Sequence, residues 1–330
     1  MPTVDILGVP HAYELTASTP KPYTLVFIHG WLLSRQYWQP LIEQLAPEYQ
    51  CLTYDLRGFG NSVLPAWSPK AAQQQSLSSE TGPIALLEQP GRILERRSEP
   101  SLSVSVNQPL AESDYTPAAF AQDLNHLLAH LNISKAWLIG HSLGGTIALW
   151  GADQLNSVVK GVVCVNAGGG IYLKEEFERF RAAGEKILRF RPAWLATLPW
   201  IDWLFSRASV AQPVAQSWGR QRVVDFVNAY REAALGALLE STTEAEVHHL
   251  PQMIARLQQP VYFIAGMQDP IMEPKYVRHL ASFHPLFKSA QGNVIEVPNC
   301  GHMAMIEQPD AIASHIKTIL ANHSGPAQQD

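Results

Sequence analysis

Ile139-Gly140-His141-Ser142-Leu143-Gly144-Gly145 is the stretch on which the reading of this chain turns. A short apolar run, Ala136-Trp137-Leu138-Ile139, precedes it, and a helix-prone run, Thr146-Ile147-Ala148-Leu149-Trp150, follows. The spacing predicts a strand, a sharp turn and a helix. Gly140-His141-Ser142-Leu143-Gly144 fits G-x-S-x-G, the pattern of a nucleophile elbow. In such a turn the positions two before and two after the Ser come close together, and a Cβ at either would clash. The strained turn holds the hydroxyl over the end of the sheet. The N–H groups of the helix point at the same place and favour negative charge there.

Two further residues complete a constellation. Val261-Tyr262-Phe263-Ile264-Ala265 reads as a central strand and leads into Gly266-Met267-Gln268-Asp269-Pro270. A last strand over 293–297 leads into Pro298-Asn299-Cys300-Gly301-His302. Ser142, Asp269 and His302 each sit just past the C-terminal end of a predicted strand. In an open parallel sheet those ends share one edge, where ligands bind. A Ser hydroxyl is a weak nucleophile until a base removes its proton. A neutral imidazole, His302, can do so. A carboxylate, Asp269, would hold the imidazole in one tautomer and stabilise it once charged.

Upstream, strands are expected over 4–9, 11–17, 24–28 and 50–54, with another over 158–165. Ser34 is an expected N-cap for a helix running to about Leu45, with Tyr37, Leu41 and Leu45 on its apolar face. Thr116 caps a helix with Pro117 at its first position, and Phe120, Leu124, Leu127, Leu128 and Leu131 recur at helical spacing.

These features together resemble the α/β-hydrolase superfamily. The resemblance rests on His29-Gly30-Trp31, on Asp55-Leu56-Arg57-Gly58-Phe59-Gly60-Asn61-Ser62, on the elbow, and on the motifs around Asp269 and His302. It covers most of the chain, excepting residues near 64–112 and the region after the sixth strand. It implies an α/β fold with a mostly parallel eight-stranded sheet, helices on both faces and an inserted helical cap. The order Ser, acid, His is that of this fold. The resemblance makes the backbone N–H groups of Trp31 and Leu143 the oxyanion hole, with Leu32 as the neighbouring alternative donor. It makes Asp55 and Arg57 a structural turn near the pocket mouth and His29 a brace for the oxyanion loop. His141 reads as a structural neighbour of the elbow. Some hydrolases place the acid after the sixth strand, but Asn166-Ala167-Gly168-Gly169-Gly170 offers no carboxylate, which sends the search to Asp269. The stretch His29-Gly30-Trp31-Leu32-Leu33-Ser34 is also similar to haloperoxidase-type esterases.

The expected organisation is a core of residues 1–167 and 253–330 and a helical cap over 168–252. Thr243 with Glu246 has capping-box spacing and marks the helix that returns to the core. Residues 64–113 are Pro-punctuated and Gln- and Ser-rich, with weak periodicity. They read as an inserted surface excursion with a short helix near 81–94. The tail after Ala321 reads as polar and frayed. The stretch 190–205 carries Trp194, Trp200 and Trp203. The first expectation is that these rings pack the cap onto the core. The second is that they line an apolar tunnel or touch a membrane surface, with Arg189, Arg191 and Arg207 as flanks.

The chain has 330 residues, 46% of them hydrophobic, which is ample for a sizeable core. A formal net charge of −5 leaves no footprint for nucleic acid. Three Cys residues, Cys51, Cys164 and Cys300, make no disulfide framework, and a reducing compartment is expected. Cys300 lacks an elbow and is a poor candidate nucleophile. The start of the chain lacks the signature of a secretory signal and no run is long enough to span a bilayer, so a cytoplasmic protein is expected. No metal spacing and no cofactor are indicated. The expected function is a serine hydrolase acting on a carboxylic ester of a small or apolar substrate. Carbon–carbon bond hydrolysis, perhydrolysis or a lyase reaction on the same triad are alternatives, as is a ligand receptor that has kept the triad. The oligomeric state is not readable.

Overall fold

The computed structural model describes residues 1–64, 112–168, 174–290 and 292–323. The insert expected over 64–113, with its short helix, lies almost wholly outside the described residues. Eight strands form one sheet: β1 (Thr3–Ile6), β2 (Val9–Leu15), β3 (Thr24–Ile28), β4 (Gln50–Tyr54), β5 (Ala136–His141), β6 (Val159–Val165), β7 (Val261–Gly266) and β8 (Val294–Val297). Their order is β1-β2-β4-β3-β5-β6-β7-β8. β1 and β2 are antiparallel to their neighbours, and every pair from β4 to β8 is parallel. This is the α/β-hydrolase fold, with the mostly parallel sheet that the strand runs predict. One turn differs from expectation. Leu7 and Gly8, with φ of 52° and 82°, make the β1–β2 hairpin, so Val9 and Pro10 belong to the second strand.

The continuous apolar runs are explained by cover on both faces. Successive side chains of β3 point in opposite directions. Val26 and Ile28 enter one core with helices α2 (Pro117–His130) and α3 (Leu143–Gln154). Leu25 and Phe27 enter the other with α1 (Gln39–Leu45) and the C-terminal helix Pro309–His323. That last helix runs past Ala321, because the His323 ring packs on Trp137 and its Nε2 meets the Tyr262 hydroxyl at 2.9 Å.

Between β6 and β7 the described chain is helical: α4 (Lys174–Arg189), a 3₁₀ turn Ala193–Thr197, α5 (Pro199–Phe205), α6 (Gln216–Asn228), α7 (Arg231–Ser241) and α8 (Glu244–Arg256). The expected cap boundary at 252 falls inside α8. Thr243 caps α8 by accepting from the Glu246 N–H at 3.1 Å, but the Glu246 carboxylate does not return to Thr243. It accepts instead from the Trp150 indole at 2.7 Å, tying α8 to α3.

Two expectations about this region are corrected. Ser34 makes no cap hydrogen bond, and a 3₁₀ turn, Arg35–Trp38, precedes α1. The Ser34 hydroxyl is taken by Asp225 of α6, to which it donates at 2.9 Å. The rings of Trp194, Trp200 and Trp203 do not pack the inserted helices onto the sheet domain; they are exposed. That contact is made by other rings. The Trp31 indole donates to the Ala234 carbonyl at 2.7 Å, and Trp218 stacks on buried Tyr37 at 5.6 Å.

Candidate active site

Ser142 sits between β5 and α3 with φ 51° and ψ −121°. An L-residue reaches this conformation only under strain of about 1–3 kcal/mol. The glycines around it explain how the turn closes. A Cβ on Gly140 would lie 2.1 Å from the Gly144 carbonyl oxygen, and a Cβ on Gly144 would lie 2.2 Å from that of Ile28. The two positions flanking the Ser are thus pressed against each other and against the end of β3. Leu143 opens α3, so its N–H is among those with no acceptor inside the helix. Ser142, Leu143, Trp31, Leu32 and His302 all line one cavity of about 400 Å³.

The His302 and Asp269 loops meet beside it. Nδ1 of His302 donates to Asp269 Oδ2 at 2.8 Å, which leaves Nε2 as the free ring nitrogen. Asp269 is buried. Burial pushes its carboxyl up, but the His302 charge and hydrogen bond, the Met272 N–H and the Asn166 amide outweigh this and hold it at about 2. Its Oδ1 accepts from the N–H groups of Ile271 and Met272 at 2.8 and 2.9 Å. The carboxylate is therefore fixed by four donors and remains charged across the neutral range.

Asn166 is a member of this group that the sequence reading passed over. It stands at the end of β6 with φ 47°. Its amide donates to Asp269 Oδ2 at 2.7 Å and to the Gly301 carbonyl at 2.9 Å. Its place, at the strand end inspected for an acid, was the available signal. Glu307 was also missed. Its carboxylate gathers the N–H groups of Gly301, Met303 and Ala211 at 2.9, 2.9 and 2.7 Å, joining the His302 loop to the inserted helices.

The other expected residues take structural places. His29 is buried and its pKa is lowered, by burial first. It donates through Nδ1 to the Gly30 carbonyl at 2.8 Å and accepts at Nε2 from the Leu56 N–H at 2.9 Å. It thus ties the loop carrying Trp31 to the Asp55 turn. Asp55 binds Arg35 through its N–H at 2.7 Å and its guanidinium at 2.6 Å. Arg57 grips Asp123 with two bonds of 2.9 and 2.7 Å. Neither Asp55 nor Arg57 lines the cavity. His141 donates through Nε2 to the His302 carbonyl at 2.8 Å, and burial, then the His302 charge, lowers it to about 3. Cys300 is buried, and burial raises its thiol to about 12, which removes it as a nucleophile. Among the described residues no group of His, Cys, Asp or Glu is disposed to hold a metal ion, and no helix is long and apolar enough to cross a membrane.

The rest of the cavity wall is largely apolar, including Phe180, Phe205, Phe226, Leu238 and Met272. Arg222 is the one formally charged side chain among the described lining residues. Its guanidinium is already held by the Phe205 and Ala208 carbonyls at 2.7 and 2.6 Å.

The family model described as alpha/beta hydrolase fold matches residues 23–309. A curated relative from Enterobacter sp. (strain 638), 2-succinyl-6-hydroxy-2,4-cyclohexadiene-1-carboxylate synthase, is 28% identical over 301 residues, covering 90% of this chain and 91% of its own. Among solved structures, a thermophilic esterase from Thermogutta terrifontis aligns at TM-score 0.64 with 21% identity, over 97% of this chain and 96% of its own. An enol-lactonase from Burkholderia xenovorans LB400 aligns at TM-score 0.66 with 19% identity, over 97% of this chain and all of its own. At such identities the two structures speak for the fold alone. The family match spans most of the chain, and the chain belongs to the α/β-hydrolase fold family.

Proposed function

Starting from membership of that family, we propose that this protein is a serine hydrolase that cleaves a carboxylic ester with an apolar acyl or alcohol part. Ser142 is the nucleophile, His302 the general base and Asp269 the residue that orients it. With Nδ1 of His302 held by Asp269, Nε2 takes the Ser142 proton as the hydroxyl attacks the carbonyl carbon. The N–H groups of Leu143 and Trp31 meet the negative oxygen that forms, each donor contributing about 2.7–4 kcal/mol of barrier lowering. His302 then gives its proton to the leaving alcohol, and water hydrolyses the acyl-enzyme by the same relay. The segment 168–252 acts as the cap that closes the site from above and selects the substrate.

The observation that carries the substrate class is the cavity beside Ser142, of ligand size and largely apolar among its described lining residues. A second reading comes from the curated relative, whose name denotes a synthase. It would put the same triad to a lyase-type reaction. The product in that name carries two carboxyl-bearing groups, a succinyl and a ring carboxylate. Among the described lining residues the one cation, Arg222, is already bonded to two carbonyls and is a poor match for a dianion. The ester reading is therefore preferred.

The test is hydrolysis of p-nitrophenyl esters from acetate to palmitate by wild type and Ser142→Ala. Turnover that rises with acyl length and vanishes in the variant supports the reading. A folded wild type inactive on every ester, or a variant that keeps turnover, overturns it.

A further inference from the structure

α5 has an unusual composition for a surface helix. Ile201 and Phe205 face inward, joining a small cluster with Val223, Phe226 and Val227. The opposite face, where solvent-exposed helices carry charge, is apolar as well. Trp200 is 60% exposed, Trp203 55% and Leu204 48%. The adjoining turn adds Trp194 at 54%, the end of α4 adds Ile187 at 50%, and the residue after α4 adds Phe190 at 74%. Scattered surface apolar residues need no account, but six large ones exposed within residues 187–204 do.

Two observations identify what it meets. The first is charge. Residues 186–224 hold six Lys or Arg and a single acid, Asp202, in a chain whose net charge is −5. Lys186, Arg189, Arg207 and Arg220 are exposed around the patch. Arg207 lies over the Trp203 ring at 4.2 Å, and Asp202 is within 3.6 Å of Arg220. Indole rings framed by basic side chains match the boundary between anionic headgroups and acyl chains. The second is position. Ile187 belongs to both the exposed patch and the wall of the catalytic cavity, and Phe205, next to Leu204, lines that cavity too. The patch therefore adjoins the apolar wall of the site.

We propose that this face is a membrane-docking surface for anionic lipid bilayers, through which an apolar ester enters the Ser142 cavity from the membrane. The entry route rests on the ester-hydrolase reading; the docking does not. Trp194, Trp200, Trp203 and Phe190 sink into the headgroup boundary while the basic rim pairs with lipid phosphates.

The experiment is co-sedimentation of the full chain with vesicles of phosphatidylcholine alone and of phosphatidylcholine mixed with phosphatidylglycerol. Wild type and Ser142→Ala should bind the mixed vesicles equally, because docking needs no chemistry, and added salt should weaken binding. A double variant, Trp200→Ser with Trp203→Ser, should bind at least roughly tenfold more weakly. Arg189→Gln with Arg207→Gln should also lose roughly tenfold, on the mixed vesicles only. Both double variants should hydrolyse soluble p-nitrophenyl acetate as wild type does, which shows that they fold. Absence of wild-type binding to the mixed vesicles overturns the proposal. So does binding that the Trp variant retains, or a dimer in solution that the Trp variant dissolves, since the patch would then be covered by a second copy. Inactivity on esters with vesicle binding intact would remove the hydrolase reading and leave the docking surface standing.

Discussion

Asp269 and Asp225 are both buried, yet their surroundings move them in opposite directions. Asp269 is met by two backbone N–H groups, an amide and the His302 imidazole, and stays ionised down to about 2. In the unfolded chain its carboxyl titrates near 3.8, so its contribution to stability is complete above that pH and is lost as pH falls toward 2. Asp269→Asn should keep the fold and lower kcat about ten-thousand-fold with little change in KM, because the His302 tautomer would no longer be fixed. Asn166→Ala removes one donor from the carboxylate. It should lower kcat by roughly tenfold with KM little changed, because a carboxylate left with three donors orients the His302 ring less firmly. An unchanged kcat would show that Asn166 only packs. At Ser142 itself the backbone is the issue. Ser142→Gly and Ser142→Ala should both be inactive, but the Gly variant should be more stable to urea by about 1 kcal/mol, as φ of 51° no longer strains a side chain.

Elements dock through side chains that sequence patterns leave unassigned. α6 is held to the segment after β3 by Asp225, which accepts from Ser34 at 2.9 Å and from Gln221 at 2.9 Å. With few donors, burial dominates and raises its carboxyl to about 7. Between about 3.8 and 7 the unfolded chain gives up a proton that the folded protein keeps, so Asp225 costs stability as pH rises through that window. The loss is roughly 4 kcal/mol once both states are ionised. Asp225→Asn keeps partners for Ser34 and Gln221 and removes the charge. It should therefore unfold at higher denaturant than wild type above neutrality, with the gap closing toward pH 4. Equal midpoints at all pH values would mean that the carboxylate is solvated when ionised. α5 shows the other side of element-level reading. Its aromatic content suggests burial, whereas among its described apolar side chains Ile201 and Phe205 alone are turned inward.

At the scale of the whole molecule, one sheet separates two cores, and alternate residues of one strand serve both. Phe27 on β3 is fully buried against Trp38, with ring centroids 5.3 Å apart. Phe27→Ala should cost about 3–5 kcal/mol in urea unfolding, because neither layer can collapse into the space without moving the sheet. A cost near that of a surface substitution would contradict the two-sided burial. Much of this arrangement was legible in the chain itself. Apolar, β-branched runs mark the central strands, because a strand covered on both faces leaves few places for polar side chains. Gly140 and Gly144 mark the elbow, because no side chain fits where two backbones nearly touch. The order of Ser142, Asp269 and His302 along the chain, each past a strand end, marked the edge at which they gather. Tertiary structure alone decided the rest. That Asn166 and Glu307 hold the loops of the site, that Ser34 bonds Asp225 instead of capping a helix, and that Trp200 faces solvent while Trp218 faces the core all depend on contacts between distant residues. Periodicity reports which face of an element is apolar. It carries no information on which neighbour, or which phase, that face will meet.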